Sequence, residues 1–173
     1  MNEKESSINY IIEAFFLLLK TNNIENISIS DICQKAGVSR VTFYRNFKDK
    51  IDIINTYFSL MIKQFIIEMG TNTHYDYYHI AYHTFEMLKK EKENILSLIN
   101  NNLSYMYQNL LNHHFDKNFK NDNYGSKLTA YIFAGALYNI SLYWIKNDCK
   151  ESIDEIITEF FKICNFDDKK PLN

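Results

Sequence analysis

Three observations predict an all-helical fold. Apolar side chains recur at spacings of three and four rather than two, only four glycines interrupt the 173 residues, and the single proline, Pro171, falls outside every periodic segment. No segment shows the alternation of a half-buried strand. The length suffices for a sizeable core. The pattern divides the chain into a small N-terminal three-helix head, residues 1–48, and a larger helical unit, residues 49–173.

Residues 6–20 form the first helix, with Ile8, Ile11, Ile12, Phe15, Leu18 and Leu19 on one stripe. Ser28 followed by Asp31 has the order of a capping box and opens a second helix at 29–36, whose Ile29, Ile32 and Cys33 share a face. Gly37 can close that helix in the left-handed conformation, and Ser39 can cap the free amides of the next one. Two short helices joined by so tight a turn make a helix-turn-helix.

The segment 39–50 then reads as one basic, aromatic-laced helix. Val38, Phe43 and Phe47 sit at packing spacings, while Arg40, Thr42, Tyr44, Arg45, Lys48 and Lys50 supply exposed donors. A helix of this kind suits the major groove of double-stranded DNA. The total charge of −2 conceals a polarity: residues 35–50 hold five cations against Asp49, a local +4, which leaves −6 elsewhere. The chain should dock on DNA through one end and repel it from the rest.

A fourth helix starts after Asp49 and runs to about Met69, where Gly70 stops it; Ile51, Ile54, Phe58, Met61 and Phe65 are spaced for burial. It begins beside the basic patch and ends in the larger unit, so its tilt would move the head. A polar break at 71–76 precedes a helix at 77–90 carrying Ala81, Phe85 and Leu88, and the charged run 89–93 is a solvated turn or helix end. Ile95, Leu96, Leu98 and Ile99 mark one short helix and Leu103, Tyr107, Leu110 and Leu111 another, with a polar loop at 116–125.

Residues 128–145 are eighteen in succession without a charge. Their length could span a membrane. Thr129, Asn139, Ser141, the hydroxyl or indole groups of Tyr131, Tyr138, Tyr143 and Trp144, and the lack of a second span argue instead for a helix covered by protein. A helix apolar on all sides needs cover on all sides. Ser152 with Glu155 starts the last helix, whose Ile153, Ile156, Ile157, Phe160, Phe161 and Cys164 form a broad stripe. Two such helices from each of two identical chains would make a four-helix interface, with Ala134, Gly135, Leu142, Ile153, Ile156, Ile157 and Phe160 expected to meet the partner.

Three cysteines without paired spacing and no apolar leader after Met1 point to a reduced, cytoplasmic protein. Cys33 is expected inside the head, and Cys149 and Cys164 are expected to be buried. Neither a phosphate-cradling glycine loop nor a nucleophile motif is present, so no catalysis and no cofactor are expected. The one metal-like constellation is His79 and His83 with Glu86, which could serve a metal-dependent sensor or enzyme. The adjacent His113 and His114 point to different faces.

Residues 27–50, I-S-I-S-D-I-C-Q-K-A-G-V-S-R-V-T-F-Y-R-N-F-K-D-K, resemble the TetR/AcrR family of bacterial transcriptional regulators almost residue for residue, and the rest of the chain does so more loosely. The resemblance implies that Tyr44 and Lys50 contact phosphates while Arg40, Val41 and Thr42 face base edges. Ser28, Ser39, Arg45, Asn46 and Lys48 complete the expected DNA-binding set. Asn46 stands where many members carry histidine, and asparagine can still hydrogen-bond a phosphate or a base. The family also implies a small-molecule pocket among the middle helices, for which Phe58, Met61, Phe65, Tyr82, Phe85, Met106, Tyr107, Phe133 and Tyr138 are candidates by position. The resulting expectation is a homodimeric DNA-binding regulator, a repressor released from its operator by a small, partly apolar effector. The alternative is an inducer-independent DNA-binding or protein-interaction factor of the same fold.

Overall fold

The computed structural model describes residues 3–70, 76–118 and 124–165, and within them every regular element is helical. The order is α1 (Glu3–Leu19), a single 3-10 turn (Ile24–Asn26), α2 (Ile29–Ala36), α3 (Arg40–Asn46), α4 (Lys50–Met69), α5 (Tyr77–Lys90), α6 (Lys92–Asn100), α7 (Tyr105–Asn118), α8 (Tyr124–Lys146) and α9 (Ile153–Cys164). The first three helices pack on one another as a head. The fourth touches α1 on one side and α5 and α7 on the other, and α5 to α9 form the body.

Helix ends lie where capping chemistry puts them. At the start of α2, Ser28 Oγ accepts the Asp31 amide at 3.1 Å while Asp31 Oδ2 accepts the Ser28 amide at 2.9 Å and its hydroxyl at 2.6 Å. The same box opens α9, between Ser152 and Glu155. Gly37 ends α2 at φ +66°, the left-handed region that a side chain disfavours, and lets the Val38 amide reach Cys33 O at 3.0 Å. Asp49 caps α4, and Asp76 caps α5.

Buried side chains form one continuous cluster from the head through α4 into the body. Phe16, Tyr57 and Phe58 are links in it, with Phe16 and Tyr57 ring centroids 4.5 Å apart. The body centres on Phe133, whose ring meets Tyr77, Phe115, Phe160 and Phe161. Trp144, fully buried, packs on Phe85 and donates its indole N–H to Glu151 O at 3.0 Å, holding the turn between α8 and α9.

Several expectations need correction. Ile51 is exposed because the buried arc of α4 runs through Ile53, Ile54, Tyr57, Phe58, Met61 and Phe65 and leaves it outside. The loop expected at 116–125 is helical at both ends, since α7 continues to Asn118 and α8 starts at Tyr124; its middle lies outside the described residues, as does most of the break at 71–76. Cys33 is buried, but Cys149 and Cys164 are only half-buried.

The apolar helix α8 has two distinct sides. Ala130, Phe133, Ala134, Leu137, Ser141, Trp144 and Ile145 are buried against the body, whereas Leu128, Tyr131, Ile132 and Tyr143 are exposed. It is long and apolar enough to cross a membrane by composition, yet it packs along α5, α6 and α7. Of the residues expected at an interface, Ala134, Ile157 and Phe160 lie inside the chain's own core at 0 to 1% exposure and present no surface to a partner. Gly135, Leu142, Ile153 and Ile156 are half-buried.

Candidate nucleic-acid interface

The helix α3 is held from beneath. Phe43 and Phe47 are buried with ring centroids 5.9 Å apart, each such burial being worth about 1.5 to 3 kcal/mol, and they fix the rotation of α3 about its axis. Ser39 Oγ accepts the Thr42 amide at 3.0 Å and lies 2.9 Å from Thr42 Oγ1. With the apolar side down, Arg40, Val41, Tyr44 and Arg45 point outward; Val41 is 69% exposed, which no packing role explains.

Arg40 is pre-positioned. Its Nη1 donates to Ser30 Oγ at 3.2 Å, and its guanidinium stands 6.0 Å from the Tyr44 ring centroid, at the edge of cation–π range. One of five donors is thereby used and the rest remain for a ligand. Ser30, on α2, was not legible as a partner, because the bond crosses the turn.

The structure shortens the reading helix. It ends at Asn46, and Phe47 adopts extended backbone to reach the core, so Lys48 and Lys50 do not lie on α3. Lys48 sits in the link, its side chain exposed and its amide donating to Asp52 Oδ2 at 2.9 Å. Lys50 is the first residue of α4 and is half-buried; its Nζ donates to Ile24 O at 2.5 Å and Ile27 O at 2.9 Å. Two of its three donors therefore brace the head, and one is left for a phosphate. Asn46 turns back on its own helix, Nδ2 donating to Thr42 O at 2.8 Å, with Oδ1 buried and unbonded. The hydroxyls of Ser28 and Ser39 are occupied as caps, and Thr42 is half-buried.

The residues expected to line a pocket do not form one constellation. Phe58, Tyr107 and Tyr138 are neighbours, the rings of Tyr107 and its two partners being 6.3 and 5.8 Å apart, with Met106 also buried. Phe133 belongs to the Phe160 cluster, Phe85 packs on Trp144, Phe65 is buried on α4, and half-buried Tyr82 stacks on Tyr78. Met61 instead lines an open cleft of about 750 Å³ between α1, α4 and α5, with Phe16, Leu17, Tyr57 and Leu60. In the body, the hydroxyls of Tyr107 and Ser141 are buried close together, yet neither finds hydrogen-bond geometry.

His79, His83 and Glu86 do not converge on one point, although His83 and Glu86 are neighbours. His79 Nδ1 lies 2.7 Å from Asp76 Oδ1 and His83 Nδ1 lies 3.2 Å from Glu86 Oε2, and among the described residues no three potential ligands converge. Burial raises the pKa of all three thiols, the reverse of what an activated thiolate needs.

A capped, internally locked helix that turns Arg40, Val41, Tyr44 and Arg45 outward in a three-helix head defines a helix-turn-helix DNA-binding protein. Residues 11–56 match the family model of bacterial regulatory proteins, tetR family, and over that span, which runs from α1 into α4, the chain is similar to that family. No curated protein matches the sequence. Among solved structures, the chain is similar to the dihydroxyacetone kinase operon activator DhaS, with a TM-score of 0.61 and 21% identity over 91% of this chain and 93% of that one. It is also similar to the fatty acid degradation regulator FadR from Bacillus halodurans, with a TM-score of 0.63 and 20% identity over 94% and 95% of the two chains. These likenesses extend the all-helical architecture over the body as well as the head.

Proposed function

We propose that the chain is a cytoplasmic homodimer that binds a two-fold symmetric operator and, as a repressor, leaves it when a small, partly apolar effector enters the body. It catalyses no reaction and requires no cofactor. The carrying observation is the outward set on α3, held rigid by Phe43 and Phe47 within a segment of local charge +4. Residues up to 48 read DNA and the remainder senses and dimerises. Base reading falls to Arg40, Val41 and Thr42, and phosphate holding to Tyr44, Arg45 and Lys48, with one donor from Lys50.

The exposed apolar side of α8 supports dimerisation. Leu128, Ile132, Gly135, Leu142 and Tyr143 recur at helical spacing along it, and Ile163 on α9 is 77% exposed. The effector reading is supported by the aromatic interior of the body and by the Tyr107 and Ser141 hydroxyls, which a ligand's polar group could satisfy. The two structural neighbours are an activator and a degradation regulator by name. The repressor sense rests on the family resemblance alone.

Selection from a random pool of DNA duplexes tests the proposal. Enrichment of a symmetric sequence, with half-sites one helical turn apart or a multiple of it, is the expected result. Absence of any enriched sequence at low salt, from a folded protein, contradicts it. A reporter placed behind that sequence should rise when the protein is removed, and a fall would reverse the assigned sense. Release of the duplex by a metabolite extract distinguishes the effector-gated regulator from the inducer-independent one.

A further inference from the structure

The turn that joins α1 to α2 is held by the rest of the chain through both polar groups of one peptide residue. Ile24 O accepts from Lys50 Nζ at 2.5 Å, and the Ile24 amide donates to Asn101 Oδ1 at 2.8 Å, a partner 77 positions away at the end of α6. Asn101 is itself fixed: its amide reaches Ser97 O and Leu98 O at 3.2 Å, and its Nδ2 donates to Ser97 O at 2.9 Å and, more weakly, to Leu19 O at 3.5 Å. One planar carboxamide thus caps α6, closes the end of α1 and receives the first amide of the 3-10 turn. Only a side chain with an acceptor and two donors in a plane can do all three.

The two ties on Ile24 differ in what they join. Lys50 belongs to the first turn of α4, which travels with the head. Asn101 belongs to the body. Packing of α1 on α4 and α6 already restrains the head; the asparagine tie adds a directional restraint, since a movement of α6 by about 1 Å against the head would stretch its 2.8 Å bond beyond hydrogen-bond range.

We propose that Asn101 is a positioning residue for DNA reading: it fixes the head against α6, so that the two reading helices of a dimer are presented at one separation. The proposal rests on the DNA-binding reading and adds to it the hydrogen bond through which the body sets the angle of the head. A plain C-cap of α6 would make no demand on sequence discrimination, and this is where the two roles part.

The test uses the full chain and the variants Asn101→Ala and Asn101→Asp, with two duplexes of equal length, one selected from a random pool by the wild type and one of arbitrary sequence. Alanine should speed exchange of the Ile24 amide at least about tenfold while leaving Ile11 and Phe15 protected. It should also lower the ratio of selected to arbitrary affinity roughly tenfold, the size of one missing hydrogen bond, since the cations that hold arbitrary DNA are untouched. Aspartate keeps the acceptor but turns a carboxylate oxygen toward Ser97 O and Leu19 O in place of the donating Nδ2, so its Ile24 protection and its ratio should both fall between those of the wild type and of alanine. Should alanine unfold the chain, Asn101→Gln, which displaces the amide by one methylene, replaces it with the same expectation. A wild-type ratio in a variant whose Ile24 amide exchanges freely makes Asn101 a cap and nothing more. An Ile24 amide still protected in the alanine variant overturns the hydrogen bond itself. A wild type that enriches no sequence removes the DNA-reading conclusion and the positioning role together.

Discussion

Gly37 shows how one residue's backbone sets the head. At φ +66° it joins α2 to the turn, and a Cβ placed there would meet nothing within 4 Å, so Gly37→Ala carries a conformational cost without a steric one. A loss of about 1 to 2 kcal/mol in urea unfolding is expected, with the denaturant slope unchanged. Asp31 and Glu155 supply the pH dependence. Hydrogen bonds from Ser28 hold the Asp31 carboxyl below its ordinary pKa, and those from Ser152 do the same for Glu155. A depressed carboxylate contributes stability that is present above its unfolded pKa and lost as pH falls through the folded one. NMR titration should therefore give both groups midpoints below the ordinary Asp and Glu values, with the α2 and α9 amides losing protection over that acid range. Gly37, the Ser28, Ser39 and Ser152 caps and the outward Arg40, Tyr44 and Arg45 were legible in the sequence, because each is set within four residues, whereas Thr42, expected outward, is half-buried beside Ser39. Lys50 was misjudged for the opposite reason: its two carbonyl partners lie 26 and 23 positions away, and spacing along a chain cannot show which cation is already committed.

The last two helices give the sharpest contrast between periodicity and packing. Sequence composition marked α8 as apolar throughout but could not say which side faced its own body, since Ala134, Ile132 and Leu128 look alike until α5, α6 and α7 are placed. With the sides assigned, Ile132→Glu and Ile163→Glu, at 62% and 77% exposed positions, should shift the proposed dimer toward monomer in sedimentation at micromolar protein while helicity and melting cooperativity remain. Phe160→Glu, at 1% exposure in the Phe133 cluster, should instead unfold the chain, since even truncation of such a phenylalanine costs about 3 to 5 kcal/mol. A monomeric wild type, or equal effects from the three substitutions, would contradict the assigned interface. The reading helix was overextended for a related reason. Phe47 continues the apolar spacing of α3, yet it reaches the core from extended backbone, and Asp49 then caps a new helix.

Across the whole molecule, the distribution of charge and of apolar surface supports one geometry: a head whose segment 35–50 carries +4 although residues 1–48 sum to only +1, and a body of net −3 whose exposed apolar side lies on α8 and α9. Two such chains joined through their bodies would present two heads to one face of a duplex. The all-helical class and the helix-turn-helix were legible because both are local periodicities; the head-to-body bond between Ile24 and Asn101 was not, because it joins single polar groups 77 positions apart. The central claim is that α3 reads bases with Arg40 while Lys48 holds phosphate. Fluorescence anisotropy over a salt series, on the selected and the arbitrary duplex, measures it most directly. Arg40→Ala should cost about 1 to 3 kcal/mol on the selected duplex and little on the arbitrary one. Lys48→Ala should weaken both alike and reduce the slope of log affinity against log salt by about 0.9 for each phosphate that is no longer neutralised. Equal losses from the two substitutions on both duplexes, with identical salt slopes, would contradict the division of labour between Arg40 and Lys48.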